Sequence, residues 1–423
     1  MQKFLSFIAL LIPFQIALSP VVGFDVALVR VLILIATLLW CVRILVTRRI
    51  SFSTSIVTVL VVLFLTTAAF SALGATELGW FARKLLFLAN FFALFFVITG
   101  TVRSWAAAAQ LLRMTLLGGT AAAAIALTLW AAQFIFGAGA VMHFWGALIA
   151  PLFLGQTFAH MVATYSSAYV NIAGTDYLRA VGFFPDPHVA AFFFEMLVPF
   201  ALAATITAPT RKEKLLWLAG SALLIGATLA TFTRGAYVAL LIGAFFALGT
   251  LLIRAHTISA RKLLLTTLGA LGIIATLLLG TPLGNRAYSI ISSPDSSISQ
   301  RVLIWKDALT IIAERPLLGV GLGNYPLTVN PHADYRDPYY AHNLYLDIAV
   351  EMGIFTALIW IALILTAIAR FLRYHPPTYG IAGTTSLVIL STHGLFDTML
   401  FSVHTLPLLL IILAASTYVK GSD

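Results

Sequence analysis

Long apolar runs alternate with short polar connections along almost the whole chain. A helix that crosses a membrane needs roughly 20 mostly apolar residues. Twelve segments fit that pattern: 4–19, 26–45, 54–73, 78–99, 114–136, 188–207, 214–231, 236–253, 263–281, 343–371, 379–396 and 400–419. The pattern predicts an all-α integral membrane protein of about 12 transmembrane helices, with residues 1–423 forming one polytopic membrane domain. Met1 to Pro20 begins like a secretory signal, with Lys3 before an apolar run, but it has no small-x-small cleavage site. It is expected to stay as the first span. Two connections are long, 137–187 and 282–342. Long loops in compact proteins are usually functional. The first holds Phe144-Trp145 and Pro151 to Leu154 and is expected to lie along the membrane interface. The second, between spans nine and ten, predicts its own helix. Val302, Trp305, Leu309 and Ile312 recur on one face, Lys306, Asp307 and Thr310 lie opposite, and Pro316 ends it. An amphipathic helix of this kind can lie flat on a membrane.

Composition strengthens this picture. Hydrophobic residues make up 61% and charged residues only 9%, where a soluble domain carries about 25% charged residues. One cysteine, Cys41, excludes a disulfide framework and a cysteine-based metal site. The net charge of +10 is scattered between apolar segments rather than gathered in a stripe, so no nucleic-acid partner is expected. Lys and Arg concentrate in loops on the cytoplasmic side of a membrane. With the N-terminus inside, Arg48, Arg49, Arg103, Arg113, Arg211, Lys212, Lys214, Arg254, Arg261, Lys262, Arg370 and Arg373 all fall on inner loops. Only Glu213 and Asp423 of the 15 acidic residues do so. Both termini are therefore expected in the cytoplasm and both long loops outside.

Orientation makes the remaining cations informative. Arg30, Arg83, Lys84, Arg179, Arg234, Arg286, Arg301, Lys306, Arg315 and Arg336 lie on the disfavoured outer side. Arg234 sits in the tight turn between spans seven and eight, flanked by Thr233 and Gly235. An ionisable group at membrane depth is a functional candidate, although an arginine can also snorkel to lipid phosphates. Arg301 starts the amphipathic loop helix, where interfacial anchoring is the plain alternative. A guanidinium binds two phosphate oxygens at once and stays charged, so two of them from different segments could clamp a pyrophosphate. His342 opens span ten and can act as a base near neutrality; a helix-capping role is the alternative. His188, at the end of the Gly182 to His188 turn, is a second candidate. Asp347, Glu351 and Asp397 read as polar helix–helix partners. Gly319-Val320-Gly321-Leu322-Gly323 lacks the spacing and the preceding strand of a dinucleotide loop and is expected to let the loop turn back over the site. No carboxylate–histidine set has metal-ligand spacing, so no metal and no cofactor are expected.

Four of these segments together resemble one superfamily, the O-antigen ligases and polymerases with the related bacterial O-oligosaccharyltransferases. Gly182-Phe183-Phe184-Pro185-Asp186-Pro187-His188 resembles its segment before span six, and Thr233-Arg234-Gly235 its Ser/Thr-Arg-Gly turn. Arg301 to Tyr325 resembles its Arg, Trp, Glu-Arg-Pro-Leu-x-Gly-x-Gly block, and Ala341-His342-Asn343 its Ala-His-Asn signature. The resemblance implies a metal-independent inverting glycosyltransferase in the bacterial inner membrane. Its donor would be a glycan on undecaprenyl pyrophosphate, and its site would open on the periplasmic side. It implies pyrophosphate binding by Arg234 and Arg301 and a base in His342, with Arg179, His188 and Asn343 as possible further substrate contacts. The acceptor would be the lipid A core in a ligase or a growing glycan in a polymerase. A lipid-linked glycan transporter is the rival from another class; its repeated halves and broken spans are not evident in the sequence.

Overall fold

A computed structural model describes residues 1–21, 24–49, 52–164, 166–172, 174–254, 284, 296–335 and 339–418. The structure is mostly helical. In chain order the helices are α1 (Gln2–Leu11), α2 (Leu28–Thr47), α3 (Ile56–Phe70), α4 (Leu78–Thr101), α5 (Trp105–Phe136), α6 (Ala138–Phe144), α7 (Ala150–Leu154), α8 (Gln156–Thr164), α9 (Pro187–Thr207), α10 (Arg211–Ala230), α11 (Arg234–Arg254), α12 (Ser296–Glu314), α13 (Tyr325–Val329), α14 (Leu344–Met352), α15 (Ile354–Tyr374), α16 (Pro377–His393) and α17 (Thr405–Ser416). Two small antiparallel hairpins, β1 (Ala17–Val21) with β2 (Phe24–Ala27) and β3 (Tyr169–Ile172) with β4 (Thr175–Leu178), lie between helices.

Among the described residues, eight helices are long and apolar enough to cross a membrane: α2, α3 with its short 3-10 extension, α4, α5, α9, α10, α11 and α15. Of the other four expected spans, three are shorter helices and one lies outside the described residues. The first expected span stops at Leu11, two residues before Pro13, which cannot continue a helix. The last becomes the 12-residue α17, because Met399 to His404 turns before it begins. The eleventh, α16, has 17 residues. Expected span 263–281 and the candidate cations Arg286 and Arg336 lie outside the described residues.

The tenth expected span is broken. It divides at Gly353 into α14 and α15. Gly353 has φ 85°, and a Cβ there would lie 2.0 Å from the Leu317 carbonyl oxygen. The Pro316 to Gly323 loop packs into this break, with Val320 N donating to Val350 O at 2.8 Å and Ile354 N to Pro316 O at 2.9 Å. The loop thus seats on the α14/α15 junction. Gly353→Ala is expected to lower the melting temperature of the detergent-solubilised protein, since a left-handed alanine alone costs about 1–3 kcal/mol before the clash is counted. An unchanged melting temperature would show that the break tolerates a side chain.

The centre of the bundle is α9. Its apolar window is 89% buried, as a helix hydrophobic on every side must be. It packs against α10, α16 and α5, and Phe192, Phe193 and Phe194 are fully buried. This central helix carries His188 at its first turn.

The 137–187 connection forms α6, a π-helical turn at Trp145–Ile149, α7, α8 and the β3–β4 hairpin. Trp145 Nε1 donates to Gly182 O at 2.7 Å and holds the connection together, and Gln133 of α5, which bonds both backbone groups of Leu178, ties it to the bundle. The expected amphipathic helix is present as α12, which ends at Glu314, ahead of Pro316. Its packed face differs from the expected stripe. Ile304, Trp305, Ala308, Ile311 and Ile312 face the body, while Val302 and Leu309 are exposed.

Candidate active site

The candidate residues converge on one turn, His393 to Asp397, which follows α16. Leu344 N donates to Gly394 O at 2.8 Å. Asn343 Nδ2 donates to Leu395 O at 3.2 Å, and Arg301 Nη1 to Phe396 O at 2.8 Å. Gly235 lies so close that a Cβ on it would sit 2.8 Å from His393 Cδ2 and 3.3 Å from Phe396 Cβ. The four segments singled out in the sequence therefore meet here: His188, Thr233 to Gly235, Arg301, and Ala341 to Asn343.

Asp397 is the chemical centre of the turn. Its Oδ1 lies 3.2 Å from His342 Nδ1, and its Oδ2 lies 2.7 Å from His188 Nδ1. One carboxylate thus serves two imidazoles from distant segments. A carboxylate only accepts, so the hydrogen on the His342 ring is assigned to Nδ1 and the lone pair of the neutral ring to Nε2. The His342 side chain is 44% exposed, against 29% for His188 and 9% for Asp397. His342 is the imidazole more open to an incoming group. The hydrogen bond to Asp397 pushes its pKa above the usual histidine value; burial and nearby Arg301 oppose this and do not cancel it. Burial pushes Asp397 upward, but the two histidines outweigh it and hold the carboxyl well below the usual range.

The backbone at His342 is strained and held. Its φ is 49°, in the left-handed region that few non-glycine residues adopt. Such strain persists only where surroundings over-determine it, and it clusters at functional sites. Here Ala341 N donates to Asp347 Oδ1 at 2.7 Å, and Trp305 Nε1 donates to Ala341 O at 2.8 Å. On the other side the Asn343 side chain caps α14, with Oδ1 accepting from Tyr345 N and Leu346 N. Trp305 thus holds the peptide before His342 and Asp347 the one before that, while Asn343 ties the first turn of α14 to the Leu395 carbonyl.

The arginines differ in placement. Arg234 is the first residue of α11 and is half-buried; Arg301, on the first half of α12, is also half-buried. Arg179 is 7% exposed. Its guanidinium donates to Thr231 O at 2.6 Å, Thr233 Oγ1 at 2.9 Å and Ser167 O at 3.1 Å. It therefore lies beneath the turn that presents Arg234. Phe232 in that turn has φ 53°. His188 is set by Asp186, whose Oδ1 accepts from His188 N at 2.8 Å and Val189 N at 2.9 Å, an N-cap ahead of Pro187.

Lys84 Nζ bonds Glu351 Oε1 at 2.7 Å and lies 4.0 Å from the Phe401 ring centroid, which joins α4 to α14. Both residues stand out in the sequence, but nothing local pairs them, because 267 positions separate them. Asp397 reads from the sequence alone only as a helix–helix partner. The available signal was a carboxylate four residues after a histidine, at the end of an apolar run.

The comparison with known proteins bears on this arrangement. Residues 219–361 match the O-antigen ligase family. Over that region the chain is similar to the O-antigen ligases, the superfamily its motifs resemble. The matched region contains Arg234, Arg301, His342 and Asn343, while His188 and Asp397 lie outside it. No curated protein matches the chain. The match, together with eight apolar helices of spanning length among the described residues, supports a multi-pass membrane protein of a glycosyltransferase-like class.

Proposed function

We propose that this O-antigen ligase relative moves a glycan from undecaprenyl pyrophosphate to a hydroxyl of the lipid A core, at the outer face of the bacterial inner membrane. The observation that carries the reading is the His393–Asp397 turn, where a histidine–carboxylate pair and two arginine-bearing segments meet. In this reading 1–423 acts as one membrane domain with both termini cytoplasmic. The excess of Lys and Arg on the inner loops supports that orientation.

The geometry supports the following mechanism. Arg234 and Arg301 bind the donor pyrophosphate and offset the charge that grows on it as it departs. Asp397 accepts from His342 Nδ1, holds the ring in one tautomer and stabilises the imidazolium that forms, the same logic as the Asp–His pair of a Ser-His-Asp triad. His342 Nε2 takes the proton of the acceptor hydroxyl as its oxygen bonds the sugar C1. The bond from C1 to the phosphate oxygen breaks at the same centre, and the pyrophosphate leaves with the electron pair. Attack opposite the leaving group inverts C1. Positive charge comes from the arginines, so this route calls for no divalent ion. His188 holds the second oxygen of Asp397, Arg179 supports the Arg234 turn, and Asn343 caps α14 and ties its start, next to the base, to the Leu395 carbonyl.

Gene deletion tests the assignment. A ligase defect is expected to leave free core and accumulated lipid-linked polymer on a gel of the surface glycan. Core bearing a single repeat unit would instead assign a polymerase, whose acceptor is the growing glycan. Intact surface glycan would overturn both.

A further inference from the structure

Below the Asp397 turn lies a second acid–histidine pair that the proposed mechanism does not use. Glu195 Oε1 is 2.7 Å from His393 Nδ1, and their side chains are 0% and 1% exposed. Phe192 stacks on the His393 ring, with centroids 3.7 Å apart and planes 11° from parallel. Glu195 falls seven residues after His188, hence on the same face of α9 two turns deeper. His393 precedes Asp397 by four residues. The central helix and the turn are therefore joined twice with opposite polarity, by His188–Asp397 at the outer end and by Glu195–His393 beneath.

We propose that Glu195 and His393 are a positioning pair that sets the Asp397 turn against His342 on one side and the Arg234 turn on the other. The proposal rests on the base role given to His342. Three contacts connect His393 to the site, two through its carbonyl and one through its ring. His393 O accepts from Phe396 N at 2.8 Å and from Asp397 N at 3.1 Å, so displacement of His393 moves the carboxylate. A Cβ on Gly235 would lie 3.1 Å from His393 Nε2, so the residue beside Arg234 rests on the same ring. A carboxylate amid apolar residues at membrane depth is expensive and marks function more often than packing. Breaking a buried pair leaves the other member without its partner, so rotation of the His393 ring is resisted strongly.

The test measures kcat and donor KM against pH in purified protein, with an undecaprenyl-pyrophosphate oligosaccharide as donor and lipid A core as acceptor. The groups facing His342 are Asp397, Arg301 and Asp347, and Asp397 is faced also by His188 and Asp186. Glu195→Leu is expected to lower kcat about tenfold or more, the scale that small misplacements of a reacting group produce. Donor KM should hold, and the acid limb of the kcat profile should move to lower pH because His342 loses its carboxylate partner. Glu195→Gln, which keeps an oxygen for His393 Nδ1, should recover most of the rate. Ser386→Ala, which removes the hydrogen bond to Met196 O between the same two helices, should leave rate and profile unchanged. If Glu195→Leu does not accumulate, His393→Phe keeps a ring for Phe192 without Nδ1 and carries the same expectation. A folded Glu195→Leu with the wild-type rate, or a slow one with an unmoved acid limb, overturns the proposal. His342→Ala runs beside these variants. If it transfers normally, the base reading falls and the pair with it. If it is inactive while Glu195→Leu is normal, only the pair falls.

Discussion

His342→Ala is expected to abolish glycan transfer while donor binding survives. The reason lies in the division of labour within the site. A pyrophosphate whose charge is neutralised is already a good leaving group, so the acceptor hydroxyl is the slow partner. General base catalysis by a positioned side chain typically contributes about 10²–10⁴-fold. His342 Nε2 is the exposed lone pair of an imidazole whose other nitrogen is held by Asp397. Removing the ring deletes the base and leaves Arg234 and Arg301 in place. Binding of the undecaprenyl-pyrophosphate oligosaccharide, measured by tryptophan quenching or by native mass spectrometry, should stay near the wild-type level. Wild-type transfer by the alanine variant would move the base elsewhere, and His188, on the other oxygen of the same carboxylate, would be examined next.

The arginines carry the second large effect. Arg234→Lys keeps a charge but loses the planar fork that meets two phosphate oxygens. Loss of one charge-assisted contact costs about 1.5–3 kcal/mol, which corresponds to roughly a 10- to 100-fold fall in kcat/KM. Arg301→Ala should fall at least as far, because Arg301 Nη1 also holds Phe396 O, one residue from Asp397. The two variants separate by their profiles. Arg234→Lys should weaken donor binding without moving the acid limb. Arg301→Ala also removes a positive charge that opposes protonation of His342, so its acid limb should shift to higher pH where the turn is retained. Near-normal transfer by both, at wild-type membrane levels, would reduce these side chains to interfacial anchors.

How legible the protein was in its sequence depends on the range of each interaction. Apolar runs and caps are local, so most spans, the end of α12 before Pro316, and the helix start after Asn343 could be read directly. The break at Gly353 could not, because it is imposed by the Pro316 to Gly323 loop, packed there through Val320 N and Val350 O. The face of α12 was misjudged at Val302 and Leu309 for a related reason: the helix docks on protein through Trp305 and Ala308. Each motif of the site was visible alone. Their convergence was not, since Asp397 meets His342 across 55 residues and Arg301 meets Phe396 across 95. The Glu195–His393 pair spans 198 residues and left one trace, a carboxylate inside the apolar run of α9.

The most direct test of the His342–Asp397 base is the pH dependence of kcat in the wild type and in Asp397→Asn. The sign follows from the shift. The hydrogen bond from Asp397 raises the His342 pKa, so the base is protonated and idle below that value and becomes active as pH climbs through it. The wild-type acid limb should therefore lie above the ordinary imidazole value of about 6.5. In Asp397→Asn the support is lost, so the limb should move to lower pH while the plateau rate drops about 10²-fold or more, as it does when a histidine base loses its orienting carboxylate. An acid limb at the same pH in both proteins would contradict the pairing of Asp397 with the catalytic base.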